Sequence, residues 1–244
     1  MIDNFCIIIN TVSSCSDLWE MCVKQLEKHF PNNKVYIFTD KNDIIFNKYQ
    51  VVIYDPNLDF RTQYLNCLKS VTEQYSLIMN DDYILYDKVN NEKIKNLIDV
   101  LISDSKISFI RFAKGYNFTD INYKEKLFFL DINKPFFYSQ TAGIWNTESL
   151  LKIHDKCPPS GIGRKNNEPQ LEVVANDVCR VLNLVGLYHY DNEKIRGLYH
   201  YDSNIFPYIA SALVSGKWNL SEYPNELTPL LDYYKIDKEK RGFI

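Results

Sequence analysis

The sequence predicts an α/β fold, a central sheet flanked by helices, on three observations. Short apolar runs alternate with stretches of helical periodicity through the first half of the chain, polar residues stand directly behind those runs, and the composition suits a packed core. An unbroken apolar run marks a strand buried on both faces, and repeated β-α-β order lays helices on both sides of a parallel-type sheet. With 244 residues, 45% hydrophobic and 24% charged, the chain can bury a sizeable core without disulfides or a structural metal.

Phe5-Cys6-Ile7-Ile8-Ile9 is the first run. Residues 17–30 set Leu18, Met21, Cys22 and Leu26 at helical spacing, with Ser16 or Asp17 as cap and Pro31 past the end. Residues 35–38 and 51–54 read as the second and third strands, 61–74 as a helix and 75–79 as the fourth strand. A helix over 92–102 precedes a fifth strand over 108–112. The character changes after Lys114, and the polar, aromatic stretch to Asn133 takes no assignment. Further on, 136–145 reads as a strand, 147–154 as a short helix and 158–163 as a loop by its prolines and glycines. A helix over 169–183 carries Pro169 in its first turn. Gly186-Leu187-Tyr188-His189-Tyr190-Asp191 recurs as Gly197-Leu198-Tyr199-His200-Tyr201-Asp202. Two copies are too few for a solenoid.

Composition excludes several functions. A net charge of −3 argues against a broad nucleic-acid surface. Cys6, Cys15, Cys22, Cys67, Cys157 and Cys179 form no C-x-x-C pair, which counts against zinc and thioredoxin-like sites. The N-terminus lacks the basic and apolar regions of a signal peptide, and no apolar stretch approaches a membrane span. The expectation is a soluble, cytoplasmic protein. Its 18 Tyr and 14 Phe suit stacking on sugar rings, and equally an aromatic core.

Asn80-Asp81-Asp82, directly behind the fourth strand, is the sharpest chemical feature. Ligands of open α/β sheets bind beyond the carboxyl ends of the strands. Carboxylates beside an amide there suit a hard cation, Mn²⁺ or Mg²⁺, that keeps phosphate oxygens among its ligands. Side-chain alternation turns Asn80 and Asp82 one way and Asp81 the other. The competing explanation is a turn-forming acidic pair.

The order of elements, with Tyr75-Ser76-Leu77-Ile78-Met79-Asn80-Asp81-Asp82-Tyr83 at its centre, resembles the GT-A fold of nucleotide-sugar-dependent glycosyltransferases. In that family a D-x-D-type motif closes the fourth strand and binds metal and donor diphosphate; here Asn80 stands for the first aspartate. Thr11-Val12-Ser13 and Thr39-Asp40 stand where such folds seat the nucleotide. Ser139-Gln140-Thr141-Ala142-Gly143-Ile144-Trp145, Asn167-Glu168-Pro169-Gln170-Leu171-Glu172 and Gly216-Lys217-Trp218 follow in an order similar to that of small phage, viral and bacterial members.

The resemblance implies a Rossmann-like mixed sheet, with 1–114 as nucleotide-sugar half and 115–244 as acceptor half of one domain. It implies a UDP- or GDP-sugar donor and a carbohydrate or glycosylated acceptor. Thr11, Val12, Asp40, Arg61, Asn80 and Asp81 fall on its donor side, Gln140 and Trp145 on its acceptor side. Asp82 and Asp81 would hold the metal, joined by a histidine from the later part of the chain. His200 is favoured over His189 because Arg196 and Gly197 accompany it. Arg196 or Arg61 would pair with the diphosphate as a planar fork.

Glu172 is the acceptor-side base in this reading, with Asp177 as the alternative. A buried stripe of Leu171, Val174, Val178, Val181 and Leu182 puts Glu172 on the opposite helix face and Asp177 at the stripe's edge. Two other functions compete. A sugar nucleotidyltransferase wants a glycine-rich loop after the first strand, and residues 10–16 contain no glycine. A non-catalytic carbohydrate-binding protein leaves the acidic strand end unexplained.

Overall fold

A computed structural model describes residues 2–115, 118–162, 169–197 and 200–244. The first half forms β1 (Phe5–Asn10), α1 (Ser16–His29), β2 (Lys34–Thr39), β3 (Gln50–Ile53), α2 (Phe60–Leu68), β4 (Tyr75–Asn80), β5 (Ile84–Leu85), α3 (Asn91–Ser103) and β6 (Ile107–Arg111). Then come β7 (Phe118–Lys124), β8 (Leu127–Leu130), β9 (Gly143–Asn146), α4 (Thr147–Lys156), α5 (Leu171–Val181) and β10 (Val185–His189). The short strands β11 (Ile195–Arg196), β12 (His200–Tyr201), β13 (Tyr208–Ile209), β14 (Leu213–Val214) and β15 (Lys217–Trp218) lead to α6 (Pro224–Tyr233).

Nine strands make one sheet in the order β3-β2-β1-β4-β9-β6-β10-β8-β7. Strands β1 to β4 run parallel, as do β6 and β10, while β9 runs antiparallel between β4 and β6. The sheet is therefore mixed, and residues 143–146 complete its centre between strands of the first 114 residues. The close approach is what Gly143 permits: a Cβ there would lie 2.7 Å from the Ile110 carbonyl oxygen.

Alternation along β1 divides the core. Phe5, Ile7 and Ile9 pack with α1 and α3 residues on one face, whereas Cys6 and Ile8 pack with α2, α4 and α5 residues on the other. The six cysteines are free thiols, all buried except the partly exposed Cys15.

Three local expectations are corrected. The second helix starts at Phe60, capped by Asp59 accepting from the Thr62 N–H at 3.2 Å, but stops at Leu68 rather than near 74. There the Val71 N–H turns back to the Leu68 carbonyl at 3.0 Å, and β-branched Val71 and Thr72 do nothing to prolong the helix. Strand character over 136–145 is confined to β9. Ahead of it, Arg111 donates to the Phe136 and Phe137 carbonyls and Asn176 accepts from the Tyr138 N–H at 2.8 Å, so side chains replace a ladder. Pro169 precedes its helix, whose first turn begins on the Gln170 carbonyl, accepting from the Val173 N–H at 3.0 Å. Among the described residues no helix is long and apolar enough to cross a membrane.

Candidate active site

Parallel pairing brings the exits of β1 and β4 level, with Asn10 opposite Asn80. The next residues meet. Thr11 Oγ1 donates to Asp81 Oδ2 and itself accepts from Trp19 Nε1 at 2.6 Å. The Thr11 carbonyl accepts from the Tyr54 hydroxyl at 2.8 Å. Thr11 is thus buried and spent on holding Asp81, leaving backbone and the partly exposed Val12 as the face of this loop. Asp81 and Asp82 diverge as strand alternation requires: Asp82 turns to Ser211, whose hydroxyl lies 3.3 Å from Oδ2, while the Asp82 carbonyl accepts from the Ala212 N–H at 3.0 Å.

Both carboxyls titrate above the ordinary range. Burial raises Asp81 first and the charge of Asp82 adds to it; burial raises Asp82 to about 6 against the hydrogen bonds of Leu213 and Ser211 and the pull of His200. Among the described residues neither forms a salt bridge with Lys or Arg. Asp81 is buried and Asp82 partly buried, and an acidic pair at a strand end without a Lys or Arg ion pair has the chemistry that fits a hard divalent cation. The described residues contain no group of three His, Cys, Asp or Glu able to hold a metal ion by themselves. Such a cation would draw its remaining ligands from phosphate oxygens and water.

Asp40 clamps the same loop, accepting from the Ser13 N–H and hydroxyl, each at 2.6 Å. Asn80 ends β4, its carbonyl accepting from the Tyr83 N–H at 3.1 Å. Arg61 sits in the first turn of α2, its N–H donating to the Ser160 carbonyl at 3.0 Å, and its charge acts on His154 and Cys157. That places it in the α2–α4 layer.

A cavity of about 620 Å³ reaches Tyr83, the residue after Asp82, and is lined also by Arg111, Phe136, Ser139, Thr141, Glu172, His200, Tyr201 and Tyr208 among others. Glu172 Oε1 accepts from the Gln140 N–H at 3.1 Å, and the Gln140 carbonyl accepts from the Tyr83 hydroxyl at 3.1 Å. The Gln140 backbone thus ties the candidate base to the residue after Asp82. Burial raises the Glu172 carboxyl, opposed by that N–H and by the positive charge of Arg111.

The expected stripe holds at Leu171 and, partly buried, at Val174, Val178 and Leu182, and is corrected at Val181, which is exposed; Ala175, Asn176 and Cys179 are buried beside it. Small Ala175 and Cys179 let the helix approach closely, so Glu172 and Asn176 both turn inward and bind the chain at 138–140. Asp177 points outward and pairs with Arg180 at 2.5 Å, which removes it from the cavity. Trp145 is also a correction: it is 0% exposed and stacked on Phe109 at 3.9 Å within the core, so it presents no surface to an acceptor.

His200 lines the cavity with Nδ1 held 2.6 Å from Glu222 Oε2, leaving Nε2 as the ring nitrogen open to a ligand. His189 lies apart, 3.3 Å from Glu193. Arg196 is engaged by Asp202 at 3.0 Å and Glu226 at 2.6 Å, so its charge is already balanced within the protein. Glu168 lies outside the described residues. Sequence reading reached Tyr83 only as the end of the Asp-Asp-Tyr motif and did not single out Arg111, Phe136 or Tyr208. The visible signal was Arg111, a charge closing an otherwise apolar strand.

No protein-family model matches the chain, and no curated protein matches its sequence. Solved structures do resemble it. TarS residues 1–349 from S. aureus align over 98% of this chain and 68% of theirs, with 13% identity and a TM-score of 0.51. A cytidylyltransferase from Leptospira borgpetersenii aligns over 98% and 95%, with 15% identity and a TM-score of 0.46. A mannosyltransferase from Pyrobaculum calidifontis, in complex with GDP-Man and Mn²⁺, aligns over 65% and 48%, with 10% identity and a TM-score of 0.44. These likenesses concern the fold, which is a GT-A-like, Rossmann-like α/β architecture.

Proposed function

We propose that the protein is a metal-dependent glycosyltransferase that moves a sugar from a nucleotide-sugar donor to an acceptor hydroxyl with inversion. One observation carries the reading: the cavity that holds Glu172 and His200 adjoins the strand end bearing Asp81 and Asp82. A carboxylate for the acceptor and acidic ligands for a diphosphate-bound cation are what sugar transfer needs within one site.

The donor would lie across the exits of β1, β2 and β4, against Val12, Asp40 and Asn80. Asp82 and His200 would hold Mn²⁺ or Mg²⁺, with Asp81 behind them bound to Thr11. The cation would neutralise charge on the diphosphate leaving group. Glu172 Oε1 is fixed by the Gln140 N–H, leaving Oε2 for the acceptor hydroxyl. The hydroxyl proton passes to Glu172 as the acceptor oxygen bonds to the anomeric carbon. The bond from that carbon to the diphosphate breaks, and the nucleoside diphosphate leaves with the electron pair. A carboxyl raised by burial accepts that proton more readily near neutral pH than an ordinary glutamate does.

Thermal-shift titration with UDP-, GDP- and CMP-sugars, with Mn²⁺ or with EDTA, tests this. A nucleotide sugar should stabilise the protein only when metal is present, and slow hydrolysis of that donor should follow. Pyrophosphate release from a nucleoside triphosphate and a sugar phosphate would instead establish a nucleotidyltransferase. Glycan binding with no nucleotide-dependent shift would establish a binding module.

A further inference from the structure

We infer that Phe136 is the stacking platform for a pyranose ring of the acceptor, held in position by Arg111. This rests on the transferase reading above and specifies the acceptor as a carbohydrate. Phe136 adopts φ 61°, a left-handed conformation that a bulky side chain occupies only when its surroundings impose it. The surroundings here are Arg111, a buried residue that donates to the Phe136 carbonyl and, at 2.7 Å, to the Phe137 carbonyl.

The turn sends two adjacent rings to opposite fates. Phe137 is 0% exposed and packs edge-on against Phe109 at 5.3 Å, whereas Phe136 is 44% exposed on the cavity wall. Glycine would relieve the backbone, and the solvent-facing ring adds little to the core. Both local preferences oppose a phenylalanine here, as is common where a position serves a ligand.

The rest of the cavity matches a sugar's two faces. Partly exposed Tyr83, backed by buried Tyr208 at a ring-centroid distance of 5.5 Å, extends the aromatic surface, while Thr141 and Glu172 place polar groups on the same wall. A pyranose lays its C–H face on an aromatic ring and turns its hydroxyls to such groups.

Two substitutions test the platform. Phe136→Gly removes the ring while suiting the left-handed backbone, so urea unfolding should show stability equal to or above that of the parent protein. Saturation-transfer NMR with methyl α- and β-hexopyranosides and their N-acetylamino counterparts should then show affinity falling about 10-fold in Phe136→Gly. In Phe136→Trp, acrylamide quenching should report mainly the introduced indole, because Trp19, Trp145 and Trp218 are buried. A bound glycoside should shield it. Equal glycoside affinity in Phe136→Gly, no shielding by any glycoside, or a marked loss of stability in Phe136→Gly would each overturn the inference. The metal-dependent nucleotide-sugar shift, read on the same samples, judges the transferase reading separately. That shift should be the same in Phe136→Gly as in the parent.

Discussion

Replacing Asp82 with asparagine should make the metal-free protein more stable while removing its metal-dependent donor binding. Burial lifts the Asp82 carboxyl from 3.8 to about 6. An acid whose folded-state value is raised contributes full stability below its unfolded value and loses it as pH rises through the folded value. The ionised form therefore weighs on the fold progressively across that window and fully above it. A displacement of roughly two pH units corresponds to about 3 kcal/mol. The asparagine side chain would keep an oxygen for the Ser211 hydroxyl, 3.3 Å away in the parent, and would relieve the repulsion acting on Asp81. Urea unfolding in EDTA should show Asp82→Asn more stable by about 2–3 kcal/mol at pH 8, with the advantage largely gone near pH 4. In a chain of this size that is about 5–10 °C in Tm. Adding Mn²⁺ and a nucleotide sugar should then stabilise the parent but not the variant. Equal or lower stability of the variant at pH 8, or a gain independent of pH, would refute the idea that this carboxylate is held at a cost for a cation.

Glu172→Gln should lower kcat about 10²–10⁴-fold while donor affinity stays within twofold or so, and the product's anomeric configuration by NMR should be inverted. Arg111→Gln removes the positive charge that opposes the rise of Glu172, so the acid limb of the kcat/KM profile should move to higher pH; an unmoved limb would detach Arg111 from the base. Trp145→Ala should cost about 3–5 kcal/mol in denaturant unfolding because it empties a stacked core position. Unchanged stability with lost acceptor affinity would return Trp145 to the binding surface.

The first half of the fold was legible because strands buried on both faces must be apolar throughout. Where such a run ends, the first polar residues mark the sheet's carboxyl edge, and Asn80-Asp81-Asp82 lies there. Other features were hidden by contacts that local pattern does not encode. The chain over 136–142 is rich in strand-forming residues, yet its backbone groups are met by Arg111, Asn176 and Glu172 from distant elements. Leu171, Val174, Val178 and Leu182 of the α5 region do face the core, but the buried face also takes in Ala175 and Cys179, whose small side chains allow close packing. That wider face brings Glu172 to the chain at Gln140 and leaves Asp177 with Arg180. Whether Glu172 serves as base was readable only through family likeness, since spacing alone described a first-turn helix glutamate.

The antiparallel strand at the centre of the sheet bears on how the chain is made. During synthesis β4 and β6 emerge before β9, their eventual shared partner. Until residue 146 clears the ribosome, the nascent chain carries two unpaired inner edges, each a template for pairing with the wrong strand. A pause in translation between residues 111 and 146 should therefore prolong that exposure and raise the aggregated share of the product, which a pause moved past residue 146 should not do.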